Sequence, residues 1–160
     1  MKVVSNSSVL IALGGIGRLG ILPAKFGQVY VPPAVWREVV EEGSGRPGGA
    51  EVARAVWIAR TDLSDPSLAL SLRSRLDDGE ADALALAKEV GADRVLIDER
   101  SARASAKAIG LVLLGTLGIL ILGKRNGLVP SLKAETDRLL AFGFRIDPAI
   151  LQRALTAAGE

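Results

Sequence analysis

Cysteine and histidine are both absent from the 160-residue chain. Without cysteine there are no disulfides, thiolate nucleophiles, iron–sulfur clusters or Cys-based zinc sites. Without histidine there is no Ser-His-Asp triad, no imidazole base and no HExxH zinc site. Any hydrolytic chemistry must rest on carboxylates, hydroxyls, lysine or arginine, with a hard cation as the natural helper. Aromatic residues make up only 4%. Phe26, Tyr30, Trp36, Trp57, Phe142 and Phe144 fall mostly at strand or helix positions suited to core packing, which speaks against an exposed base-stacking platform.

A membrane-spanning run is also missing. The longest uncharged stretch, between Lys107 and Lys124, has sixteen residues with four glycines and a threonine, whereas a spanning helix needs about 20 apolar residues. A buried strand, a turn at Gly115 and a buried helix fit it better. Lys2 followed by Val9–Leu13 resembles a short signal peptide, but Asn6, Ser7 and Ser8 interrupt it and Arg18 follows without an A-x-A cleavage site. The expectation is a soluble cytoplasmic protein, independent of membranes. At 49% hydrophobic and 24% charged residues the composition is globular. The length suits one domain, residues 1–160, burying roughly 70% of the unfolded chain's surface.

The net charge is only +2, yet it is unevenly spread. No acid precedes Glu38, eight of the eighteen acids fall between Asp77 and Glu99, and every charge from Arg100 to Lys133 is positive. Solvated faces explain most of these charges. An acidic centre between basic surfaces would in addition suit a phosphate backbone approaching a metal.

Strands are predicted at Lys2–Ser5, Gln28–Val31, Trp57–Arg60 (an edge strand), Arg94–Ile97 and Leu111–Leu114. Between them the pattern predicts a helix at Val9–Leu13 broken by Gly14, Gly15 and Gly17, a short helical turn at Ile16–Leu22, and a helix from Pro33 through Glu42. Further helices are expected at Ala50–Ala55, Ser67–Leu76, Gly79–Val90, Glu99–Ile109, Thr116–Lys124, Ser131–Phe142 and Asp147–Ala157. The alternation predicts an α/β fold around a mostly parallel sheet. Ligands in such sheets gather beyond the carboxyl ends of the strands. There the sequence places Asn6 after the first strand, Asp98 after Val-Leu-Ile and Gly115-Thr116 after Leu-Val-Leu-Leu; Glu38 lies one turn into the helix after the second strand.

Oxygen ligands for a divalent ion are thus available from separate elements: the Asn6 amide, the Ser8 hydroxyl, Glu38, Glu80, Asp82 and Asp98. Each has a plainer role. Asn6-Ser7-Ser8 can be a helix cap, Glu38 a solvated helix residue, and Glu80 and Asp82 residues favoured at a helix N-terminus. A second class of function is spelled by Gly15-Ile-Gly17-Arg-Leu-Gly20, a G-x-G-x-x-G with Glu38 eighteen residues after Gly20. A dinucleotide-binding fold needs a strand before these glycines, a helix opening at them and an acid ending the second strand. The last condition fails, because Pro32-Pro33 ends that strand.

VVSNSSVLIAL, VYVPPAVWREV, GEADALALAKEVGADRVLIDER and GLVLLGTLGILILGKRNGLV, in this order, resemble a stand-alone prokaryotic PIN domain over nearly the whole chain. They are most similar to the branch of predicted nucleic-acid-binding proteins related to VapC-like toxins. The resemblance implies a three-layer α/β/α fold and a Mg²⁺- or Mn²⁺-dependent endoribonuclease site of four acids. These fall on Asn6, Glu38, Glu80 and Asp98, with Asp82 an alternative third acid and Ser8 the small polar residue after the first. It also implies RNA as substrate, an antitoxin as possible partner, and a homodimer, for which Leu10–Leu22 and the apolar Thr116–Leu122 could supply a face. Two positions depart from the pattern: Asn6 replaces the usual aspartate, and Leu96 stands where a hydroxyl is often found. A missing charge at about 4 Å is worth on the order of 1–4 kcal/mol toward a cation, so weak activity, or a catalytically silent RNA- or protein-binding module, is the alternative.

Overall fold

The computed structural model describes residues 1–160. Five short strands, β1 (Val3–Ser5), β2 (Val29–Val31), β3 (Ile58–Arg60), β4 (Arg94–Leu96) and β5 (Leu113–Leu114), form one sheet in the order β3-β2-β1-β4-β5. Every neighbouring pair is parallel, so the sheet is wholly rather than mostly parallel. Such a sheet needs both faces covered. The β1–β2 connection runs through α1 (Ser7–Gly15) and α2 (Ile21–Phe26), and the β2–β3 connection through α3 (Pro33–Trp36) and α4 (Gly49–Arg54). The β3–β4 connection runs through α5 (Ser67–Leu72) and α6 (Asp78–Glu89), and the β4–β5 connection through α7 (Arg100–Ala108). After β5, α8 (Thr116–Arg125) packs on α2 and α9 (Leu132–Phe142) on α1, and α10 (Pro148–Ala157) closes the chain. The expected α/β/α layering is what the chain adopts.

β1 is the centre of the core: Val3, Val4 and Ser5 are fully buried and flanked on both sides by parallel partners. Across one face lies α6, in which Gly79 through Ala87 are all buried. Its alternate alanines leave little side-chain volume, so the helix settles against β1 and β4 while α5 and α3 pack on its flanks. An Asp77 capping box fixes where α6 starts: the Asp77 carboxylate accepts the Glu80 amide at 2.8 Å, and the Glu80 carboxylate accepts the Asp77 amide at 3.1 Å.

Several boundaries differ from the sequence reading. Gly14 and Gly15 do not break α1 but complete it, because each admits a close neighbour. A Cβ on Gly14 would lie 2.7 Å from the Gly48 α-carbon, and one on Gly15 would strike the Phe142 ring. The following helix begins only at Ile21. After α3 the chain widens into a π-helical turn, Arg37–Glu41, instead of continuing as α-helix to Glu42. Helix α5 ends at Leu72, four residues early.

The G-x-G-x-x-G run follows a helix, not a strand, and Gly17 (φ 70°) turns the chain before α2. The dinucleotide-binding reading therefore fails on its first requirement as well as its last. In its place Arg18 reaches across to α9, meeting the buried Glu135 at 2.5 Å. Phe26 is the only aromatic side chain that is buried; Trp36, Trp57, Tyr30 and Phe144 are partly covered and Phe142 is exposed, so aromatics contribute less to the core than their positions suggest.

Two predictions follow from this packing. Gly14→Ala should destabilise by about 1–3 kcal/mol, since two backbones must separate, whereas Gly20→Ala, with open space around it, should be neutral or stabilise by about 0.4–1 kcal/mol; denaturant midpoints of the two variants measure the contrast. The second concerns Glu160, whose carboxylate accepts the Leu132 and Lys133 amides and the Ser131 hydroxyl at the start of α9. These bonds, with Lys124 nearby, hold it down to about 2. A depressed carboxyl stabilises fully above its ordinary range and loses that contribution as pH falls toward about 2. Acid unfolding of Glu160→Gln should lack this component of the wild-type curve.

Candidate functional site

The four candidate positions lie along the carboxyl edge of the sheet. Asn6 follows β1 directly, and its backbone amide bonds the Leu96 carbonyl of β4 at 3.0 Å, so the ends of these adjacent strands are locked together. As N-cap of α1, Asn6 accepts the Ser7 amide on Oδ1 at 2.6 Å. Its Nδ2 points to the Ser8 hydroxyl at 3.4 Å.

Glu38 arrives from the π-helical turn. Widening the helix by one residue per turn re-aims side chains, and such turns recur at functional sites. The Ser7 hydroxyl donates to Glu38 Oε2 at 2.6 Å. The same carboxylate rests against the α-carbon of Gly79, where any Cβ would collide with it. Glu80 is the next residue along α6, buried at 7% exposure. Its carboxyl lies near Asp77 and Glu99.

Asp98 sits two residues beyond β4 and is bound through both oxygens: Oδ1 accepts the Thr116 amide at 2.8 Å and Oδ2 the Thr116 hydroxyl at 2.7 Å. Gly115 makes this approach possible, since a Cβ there would lie 2.9 Å from Asp98 Oδ1 and equally close to Arg103 Nη1. Thus Asn6, Glu38, Glu80 and Asp98, the outer two separated by 92 positions in sequence, share one edge of the sheet.

The electrostatics of this edge are unusual for the molecule. Burial is the main cause that raises the Glu38 carboxyl above its ordinary range, and Asp77, Glu42 and Asp78 push it further, against the lowering by Ser7. Burial likewise raises Glu80, assisted by Asp77 and Glu99 and opposed by the Asp77 amide. No ion pair involves Glu38, Glu80 or Asp98. A set of oxygen donors with negative charge and no ion-pair partner, with Arg103 beside Asp98 at Gly115, fits a hard divalent cation in its chemistry. In spacing it does not yet enclose one: no three acids stand close enough together to hold a metal ion.

The auxiliary candidates separate. Asp82 is committed to Arg73 of the α5–α6 connection at 2.8 Å, which leaves Glu80 as the uncompensated acid of α6. Ser8 touches only the Asn6 amide, while its neighbour Ser7 bonds Glu38. Ser7, Thr116 and Gly79 are contacts that sequence reasoning assigned no site role. Thr116 had a signal in its place directly after a strand-end glycine. Gly79 and Ser7 had none, because only the fold brings Glu38 to them.

Comparison with known families then bears on the whole chain. The family model described as PIN domain matches residues 2–160. No curated protein matches the chain. No helix is long and apolar enough to cross a membrane.

A raised carboxyl favours its protonated form in the fold, so the stability linked to it is complete below the unfolded-state range and is lost as pH rises through the folded-state value. Glu38→Gln keeps an acceptor for Ser7 and removes the charge. It should therefore be more stable than wild type at neutral pH, with the difference shrinking as the pH drops into the carboxylate range. Melting temperatures across pH 4 to 8 give the answer, and a destabilised Glu38→Gln at neutral pH would contradict the electrostatic picture.

Proposed function

The chain belongs to the PIN domain family, and from that premise we propose that it is a divalent-metal-dependent endoribonuclease working at the Asn6–Glu38–Glu80–Asp98 edge. PIN domains are typically nucleases and generally use divalent metals. The observation that carries the reading here is a group of acids without ion-pair partners at the carboxyl edge, Glu80 buried and Glu38 and Asp98 half-buried, in a molecule that neutralises its other two buried acids, Asp82 and Glu135, with arginine. Mg²⁺ or Mn²⁺ bound by Glu38, Glu80 and Asp98, with the Asn6 amide oxygen, would supply activation of water and stabilisation of the leaving oxygen. Ser7 keeps Glu38 turned inward, and Thr116 fixes both oxygens of Asp98. RNA as substrate, an antitoxin protein as partner, and a second copy of the chain are parts of the same proposal.

One observation favours a second reading. Asn6 carries no charge, and its Oδ1 already accepts the Ser7 amide. A module that binds RNA or a protein without cleaving would tolerate that. RNA binding with no cleavage in Mn²⁺ distinguishes it.

Calorimetric Mn²⁺ titration of wild type, Asn6→Asp and Asp98→Asn decides on the metal. Restoring a charge at position 6 should tighten Mn²⁺ binding by roughly tenfold, equivalent to about 1.4 kcal/mol and within the range for one charge near the ion, and should raise RNase activity. Asp98→Asn should abolish whatever cleavage the wild type shows. As a simple helix cap, Asn6→Asp would change stability by less than about 1 kcal/mol and leave Mn²⁺ binding alone. Identical titrations for all three proteins would sink the metal site.

A further inference from the structure

A groove of about 760 Å³ opens directly beside the acid edge, between the start of α7, the β5–α8 junction and the α9–α10 connection. Asp98 and Glu99 stand at one end of it. Three arginines, Arg100, Arg103 and Arg145, line the groove, and none pairs with a carboxylate. Arg103 is anchored, donating from Nη1 to the Ile97 carbonyl at 2.9 Å, beside Asp98 at Gly115. Arg100 and Arg145 are exposed.

Three acids, Asp98, Glu99 and Asp147, line the groove as well. Asp147 accepts the Ala149 and Ile150 amides at the start of α10, and Asp98 is held by Thr116. Glu99 is close enough to Glu80 for its charge to help raise that carboxyl. The remaining lining is apolar and half-buried, chiefly Leu117, Ile121, Phe144 and Ile146.

We infer that this groove holds the phosphodiester backbone of single-stranded nucleic acid leading away from the acid edge. Guanidinium groups that pair with no carboxylate are suited to phosphate, which they meet through paired N–H donors. An apolar surface in the same groove suits the faces of unstacked bases, which a duplex keeps inside. The inference rests on the nuclease reading for the identity of the acid edge. It adds the path of the substrate and the residues that grip it.

Binding of a fluorescent oligouridylate, followed by anisotropy in EDTA over a salt series, tests this apart from cleavage. Arg100→Gln/Arg145→Gln should weaken binding on the order of tenfold, as expected for losing charge-assisted contacts, and should lower the log–log salt slope by about 1.4, or about 0.7 for each phosphate released. Lys107→Gln/Arg125→Gln removes the same charge outside the groove and should weaken binding less than about twofold by the same principle of local contact. Arg103 stays intact because it supports the end of β4, and melting curves confirm that both double variants remain folded.

Equal weakening by both double variants would overturn the groove, as would a wild type that fails to bind oligouridylate at low salt. Polyglutamate bound as tightly and with the same arginine dependence would overturn it in favour of an acidic protein segment. A wild type that binds through Arg100 and Arg145 but never cleaves in Mn²⁺ supports the groove and refutes the nuclease. Asp98-dependent cleavage that is indifferent to Arg100 and Arg145 does the reverse.

Discussion

The 2.6 Å bond from Ser7 to Glu38 joins elements that the chain itself keeps apart. Ser7 opens α1 at the end of the central strand, Glu38 lies in the π-helical turn, and the carboxylate it holds presses on Gly79 in the first turn of α6. Three conditions must be met together for this contact. The helix must widen after Trp36, position 79 must lack a Cβ, and α6 must start where its capping box starts it. The N-terminus of α6 offers partial positive charge to the carboxylate, which offsets some of the burial. Glu80 is then placed by the same helix, one residue on.

The molecule contains its own control for the charge at this edge. Three acids are buried: Glu80, Asp82 and Glu135. Asp82 meets Arg73, and Glu135 meets both Arg18 and Arg138. Only Glu80 is left without a base, beside a half-buried Glu38 in the same condition. Burying unpaired carboxylates costs stability, and the chain has arginines it uses freely for that purpose elsewhere. Leaving these acids unpaired is thus a property of the site and not a general feature of the core, which is the pattern expected where a cation is to be bound. Arg100, Arg103 and Arg145 line the adjoining groove and form no ion pair with these acids.

Much of this was legible in the sequence because it depends on local patterns. Apolar strands leading to Asn6 and Asp98, the acidic start of α6 and the Ala-rich run behind it are all written in neighbouring residues, and together they point to an α/β/α fold with the candidate residues along its carboxyl edge. What escaped depends on contacts between distant segments. The glycines 14 and 15 look like helix breakers, yet they are close-approach points for Gly48 and Phe142. Glu38 sits in a π-helical turn that no residue pattern announces. Ser7 and Ser8 are indistinguishable by type, and only the direction of the first turn of α1 decides which one meets Glu38. Asp82 and Glu80 are equally acidic, and only the position of Arg73 separates them.

Position 6 shows how stability and cation binding pull against each other. The Ser7 hydroxyl has one proton and two neighbouring acceptors, Glu38 Oε2 at 2.6 Å and Asn6 Oδ1 at 3.3 Å. With asparagine the competition is unequal, because a carboxylate accepts more strongly than an amide, and the proton goes to Glu38. The amide also has a donor of its own to offer Ser8. An aspartate would contest the Ser7 proton and add a further negative charge to an edge where Glu38 and Glu80 are already raised by burial and by neighbouring acids. By these contacts asparagine is the better residue, whereas a divalent ion bound as proposed would reverse the preference by on the order of 1–4 kcal/mol for each charge at about 4 Å. The side chain at position 6 thus sets how far the edge is relieved of repulsion and, by the same charge, how tightly it would hold the proposed ion.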